Sequence, residues 1–518
     1  MRVDPNGHGS SVVSDEDALY ASAKSAIRRY SIRELIPLLP LLSTEQITEL
    51  DLDGSNLVHQ AAKLGCCSVL EPILNRIDPE SLYITDKDGK CALMLAANHN
   101  AKSVQLIIDR MDPSSPKTQA SIWSALLEAV SNRDTDWESY NVETACLLAS
   151  KAPVENFLLP VKHSSNILSY ISSTHYLWEV TEVIIRRLLA EISELPANCP
   201  LRYQMLWYAV FAYRRELVSL LIASLEPPAS PMESLGERSD EILHPNLSTD
   251  SIYPTSEYEW ARLSLINKIV CRCISNDWTP EALALLDWIP DDFLVWAADH
   301  EGEVRLMSSA AFHGRLEVFE HLLRRGGREL LQLSCLGSDS ALINAAQKNP
   351  HAIPRRTDQL QICQLIVNGV DAPYLGSKDR KGMTALHHAC KSYEKDSYAI
   401  VCVLVNAMSP EDLIACSSES ETALNYCFRR ARDNDKKMLK LITHMRPEDL
   451  IRPGPKSQSY LAEIYYNREK EAAMALRERM NPHDFAEVSH ELRLGLKHDP
   501  DDEWKALLEP PVTAKAAE

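Results

Sequence analysis

Two adjacent histidines, His387 and His388 in the stretch DRKGMTALHHAC (Asp379 to Cys390), are the residues that most invite a chemical reading. Imidazoles bind metals and move protons, but neighbours on a helix point about 100° apart and do not face one ligand. No acid or cysteine motif accompanies them, so they carry little catalytic signal. Cys66-Cys67 and the Cys271-x-Cys273 pair lack a second ligand pair at zinc-site spacing, and no structural metal is expected. Cys199, in ELPANCPLRY, is the most loop-like cysteine; it reads as a plain loop thiol, although a cysteine paired in space with a distant histidine leaves no sequence trace. No phosphate-cradling loop, dinucleotide fingerprint, nucleophile elbow, H-E-x-x-H or kinase signature is present. The expectation is a chain with no catalytic, cofactor-binding or metal-ligating residues, no cofactor, and no enzymatic role.

The same stretch has a second meaning, because it recurs. LDLDGSNLVHQAAKLG (Leu50 to Gly65) and TDKDGKCALMLAANHN (Thr85 to Asn100) superpose with Gly54 on Gly89, 35 residues apart, and Gly382 takes the same place in the opening stretch. Each copy has an acidic turn ending in glycine, a small or polar residue suited to capping a helix, then an apolar residue and an alanine-rich helical start. A second periodic element follows apolar helical stretches: IDPESL, MSPEDL, MRPEDL and MNPHDF. Leu82, Leu413 and Leu450 in these connectors each stand nine residues before a helix-capping position, Cys91, Thr422 and Ser459. Proline followed by acids suits the opening turn of a helix. Stretches such as SVLEPILNRI and QICQLIVNGV carry the apolar stripe of a second helix.

This pattern resembles the ankyrin repeat, whose T-P-L-H-x-A motif recurs at about 33 residues; GMTALHHAC is its closest copy. The resemblance implies an all-α, ankyrin-repeat solenoid of stacked helix-turn-helix units, with about twelve candidate units. Capping positions are placed at Asp17, Asn56, Cys91, Ser124, Asn166, Gln204, Leu263, Val304, Ser340, Thr384, Thr422 and Ser459. It also implies that His387 and His59 hydrogen-bond backbone around the turn and hold neighbouring repeats in register.

Bulk composition agrees with a folded chain. Of 518 residues, 45% are hydrophobic and 25% charged, and a solenoid escapes the size limit of a single core because each unit packs only on its neighbours. Lysine plus arginine total 54 against 73 aspartate plus glutamate, a net charge of −19. Such a chain repels phosphate backbones, so nucleic acid is not an expected partner. No run of about 18 apolar residues marks a membrane span, so no membrane insertion is expected. The 13 cysteines, several at apolar helical positions, point to the cytoplasm or another reducing compartment.

The organisation read from the sequence is a disordered N-terminal tail (1–16), a repeat array (17–225), a Pro/Ser/acidic loop or linker (226–259), a second array (260–480), and a helical cap with a disordered tail (481–518). The solenoid is expected to bend or hinge at 226–259. The implied function is a protein-interaction scaffold or adaptor, binding through turn tips and the inner first-helix face. In the clearest units the tips are Asp51, Asp53, Asp86, Lys87, Asp88, Asp379, Arg380 and Lys381, whose acidity suits a basic patch on a protein partner. Two alternatives stand beside it: a secreted bacterial effector that tethers a host protein, acting in the host cytoplasm, and an enzyme with a divergent catalytic region within 132–259.

Overall fold

The computed structural model describes residues 15–51, 54–131, 140–161, 164, 166–172, 177–191, 200–225, 255–299, 305–337, 340–347, 358–394, 396–428, 434–451, 459–496 and 500–509. These residues form an all-α repeat solenoid: short antiparallel helix pairs recur along the chain, and no strand occurs among them beyond two isolated bridges, Thr85 with Cys91 and Val161 with Ser164. They divide into two compact units, one up to Leu221 and one from Ile222 onward.

In each unit the glycine turns seen in the sequence build the joints between helix pairs. Asp86 shows how: its amide donates to the Lys90 carbonyl at 2.9 Å, Gly89 N donates back to Asp86 O at 3.0 Å, and the Asp86 carboxylate accepts from the Asp88 and Lys90 amides. Asp379 repeats this with Met383, Gly382 and Lys381. Ser417 repeats it again, its hydroxyl standing where the others place a carboxylate. Gly54, Gly89 and Gly382 are left-handed, at φ of 72°, 75° and 68°, and Ser420 holds the same position at φ 59°.

Successive tips are stitched together. Lys87 N donates to Gly54 O at 3.2 Å in the first unit, and Ser418 N donates to Lys381 O at 2.8 Å in the second. That approach leaves no room for a side chain at Gly382, where a Cβ would lie 2.9 Å from Ser418 N, whereas one at Gly89 would meet nothing. Gly89→Ala is therefore expected to cost about 1 kcal/mol, from conformation alone, and Gly382→Ala about 2 kcal/mol. Ser420→Gly should stabilise by roughly 0.5 to 1 kcal/mol, because it relieves a β-carbon at positive φ. Urea unfolding of the three variants reads all three signs.

The connectors follow the nine-residue rule further than their sequence motif does. Leu82, Leu413 and Leu450 are buried, and so are Ile47, Phe157, Leu331 and Leu375, each nine residues before Asn56, Asn166, Ser340 and Thr384. At Leu331 the connector is fused to the preceding helix as Leu316–Ser334, broken only by Gly327 at φ 58°, ψ −151°.

Other expectations are corrected. Ser124, Gln204 and Leu263 do not start helices; they lie inside Pro116–Ser131, Pro200–Phe211 and Thr255–Ser275. The stretch read as a loop to Glu259 is helical from Thr255, and 226–254 lies outside the described residues. Beyond Pro482–Gly495 a second helix, Asp502–Leu508, is capped by Asp501 and buries Trp504 and Leu508. Residues 132–139, 348–357 and 510–518 also lie outside the described residues.

Helix ends are satisfied across neighbouring pairs. The four terminal carbonyls of a helix lack partners within it, and here a basic or amide side chain from the following pair supplies them. Arg110 donates to Leu74 O at 3.3 Å, Arg479 to Met445 O at 2.7 Å, and Arg325 to Leu286 O and Ile289 O. Asn100 does the same for Gly65 O at 2.7 Å, and Gln359 for Phe312 O at 3.2 Å.

Candidate interaction surface

The histidines that opened the sequence reading are turn and cap residues. Thr384 N donates to His387 Nδ1 at 3.1 Å, so the ring proton sits on Nε2, which donates to Glu421 O in the next pair at 3.1 Å. His59 makes the same pair of bonds, with Asn56 N at 3.2 Å and Ile84 O at 2.9 Å. Burial pushes His387 down to about 4 and lowers His59 as well, favouring the neutral ring in both. At Thr422 an asparagine, Asn425, takes this place and accepts from Thr422 N at 2.8 Å. His388 points elsewhere, its Nε2 lying 2.9 Å from Asp379 Oδ2.

The cysteines are free thiols, apart from Cys199, which lies outside the described residues. Burial raises Cys273, Cys335 and Cys363 to about 12 each and Cys146 to about 11, which keeps them unreactive. Among the described residues no three His, Cys, Asp or Glu side chains gather in a way that could hold a metal. No helix among them is long and apolar enough to cross a membrane.

The eight tip residues separate into two sets. Asp51, Asp86 and Asp379 are part of the turns themselves, accepting from backbone amides of their own loops. Asp51 is also paired with Lys24 of helix Asp15–Arg28 at 2.5 Å, and Asp379 with His388 at 2.9 Å. Lys87, Asp88, Arg380 and Lys381 are exposed, and Asp53 lies outside the described residues. The protruding charge is therefore mixed in the first unit and basic at Arg380 and Lys381, with Glu419 exposed on the adjoining tip. The sequence reading counted the aspartates as display residues because their role in folding the turn is invisible without the backbone.

Side chains near the turns also link neighbouring helix pairs. In the first unit Lys90 pairs with Glu128, which also accepts from Asn98 at 3.3 Å. In the second, Lys391 lies 5.9 Å from the centre of the Tyr426 ring, which meets His387 edge-on at 5.7 Å. At the far end of these first helices Tyr393 and Tyr466 are 54% and 55% exposed. Sequence reasoning passed them over, although Tyr466 and Lys391 stand at the same offset, seven residues after Ser459 and Thr384.

Fold and surface together define an all-α helical-repeat protein. No protein-family model matches the chain, and no curated protein matches it. Among solved structures it is similar to one described as a circular tandem repeat protein with novel repeat topology and enhanced subunit contact surfaces. That likeness has 12% identity over 95% of this chain and 92% of the other, and a TM-score of 0.19, too loose a superposition to bear on function.

Proposed function

We propose that the chain is a non-catalytic protein-binding scaffold of the ankyrin type. It would hold a protein partner along its turn tips and the exposed ends of its first helices. One observation carries the reading: the tips are stitched backbone to backbone, so the side chains between them stand at fixed spacing. A surface ordered before binding loses little entropy when a partner arrives. Exposed Arg380 and Tyr393 flank helix Ala385–Lys391 and exposed Tyr466 lies on Tyr460–Asn467, all in the second unit, and these are residue types that dominate binding energy at interfaces. The free thiols suit a reducing compartment.

The test is affinity capture with the intact chain against two variants, one carrying Lys87→Glu and Asp88→Lys, the other Arg380→Glu and Lys381→Glu. None of these side chains supports its own turn, so folding, checked by circular dichroism, should be unchanged. A partner held by the intact chain and lost by one variant supports the proposal and locates the contact. Capture that neither variant nor Tyr393→Ala with Tyr466→Ala weakens would remove this surface from consideration.

A further inference from the structure

In the second unit, helices Thr255–Ser275, Asp291–Asp299, Leu306–His313 and Leu316–Ser334 close around a cavity of about 10 Å³. Its wall is mostly apolar, with Leu294, Ala298, Met307 and Leu322 among its residues, but two polar side chains, Asn267 and Ser334, also line it. Both are deeply buried, Asn267 at 0% exposure and Ser334 at 1%. The Ser334 hydroxyl has no partner among the described residues, although its backbone carbonyl accepts from Ser308 Oγ at 3.5 Å.

A buried hydroxyl without a partner is strongly unfavourable, and folded proteins meet that need with ordered water wherever there is room. Here there is room for one molecule and no more, since a water needs roughly 10 to 15 Å³ measured in this way. It also needs at least two polar partners, and the cavity provides two, on different helices. Serine is also a poorer helix former than alanine, so at this buried position the hydroxyl gains nothing for the fold unless something bonds it.

We propose that one water molecule is a resident part of the second unit, bound in this cavity between the Ser334 hydroxyl and the Asn267 side chain. The water ties the end of Leu316–Ser334, beyond the Gly327 break, to the middle of Thr255–Ser275. It completes a junction that the side chains alone leave short of one hydrogen bond.

Two measurements on the full chain test this. A high-resolution crystal structure should show a density peak about 3 Å from both Ser334 Oγ and the Asn267 side chain; a cavity without density overturns the proposal. Ser334→Ala should lower the unfolding midpoint, because the bridge is lost. If no water is bound, the same change removes an unpartnered hydroxyl and improves helix propensity, so the midpoint rises. A midpoint that rises or stays put therefore counts against the water.

Discussion

Lys437→Met is expected to destabilise the second unit by about 2 kcal/mol, because it removes the ammonium from Cys390 O and Ser392 O without removing much volume, while Ala389 O keeps the Ser392 amide. The Lys437 side chain is fully buried, and its ammonium donates to Ala389 O at 3.2 Å, Cys390 O at 3.5 Å and Ser392 O at 2.7 Å. These are the closing carbonyls of helix Ala385–Lys391 and the loop after it. Methionine matches the stem and offers no donor, so Cys390 O and Ser392 O each lose roughly 1 kcal/mol. The urea midpoint of the second unit should fall, and hydrogen exchange at the end of Ala385–Lys391 should quicken more than at Leu57–Leu64 in the first unit. An unchanged midpoint would show that water replaces the ammonium at no cost.

The second large effect is in acid. His387 is held neutral in the folded chain, pushed down to about 4 by burial, and reverts to roughly 6.5 when unfolded. Above pH 6.5 neither state binds the proton and the full stability is present. Between pH 6.5 and 4 the unfolded chain takes up a proton that the folded chain refuses, so stability falls as pH falls, by about 3 kcal/mol across the window. Burial lowers His388 as well, against the pull of Asp379, and adds to the same slope. His387→Asn places at Thr384 the residue type that already caps Thr422. It should cost about 1 kcal/mol at neutral pH, through loss of the bond to Glu421 O, and should make the acid slope shallower by the share that His387 contributes. Urea midpoints at several pH values, read for the intact chain and the variant, decide it; equal slopes would mean that His387 is not the group responsible.

What the sequence made legible follows from how local each interaction is. The turns at Gly54, Gly89 and Gly382 announce themselves because a glycine, a capping residue and a small pair (Ala61-Ala62, Ala96-Ala97, Ala389-Cys390) fall within a dozen positions. Ser420 and Arg468 reach the same backbone region without glycine, at φ 59° and 66°, and so give no signal. Ser124, Gln204 and Leu263 each stand two residues before a leucine, Leu126, Leu206 and Leu265, which a continuous helix supplies equally well. Lys437 could not be found, since its partners lie 45 to 48 residues away and its own helix reads as an ordinary charged one. Of the predicted contact residues, the tip aspartates were identified by position but not by role. The exposed tyrosines carried no motif at all.

The direction in which helix ends are satisfied has a consequence for how the molecule is made. At Leu74, Met445, Gly65, Phe312 and Ala389 the carbonyl belongs to the earlier pair and the donor to the later one. On a growing chain, which emerges from its N-terminal side, each of these pairs of helices leaves the ribosome with its ends still solvated by water. It reaches its final hydrogen bonding only when the next pair arrives. At these five ends maturation trails synthesis by one repeat, whereas at Ser334 and Ala506 the donor, Ser308 or Arg477, is made before the carbonyl it serves.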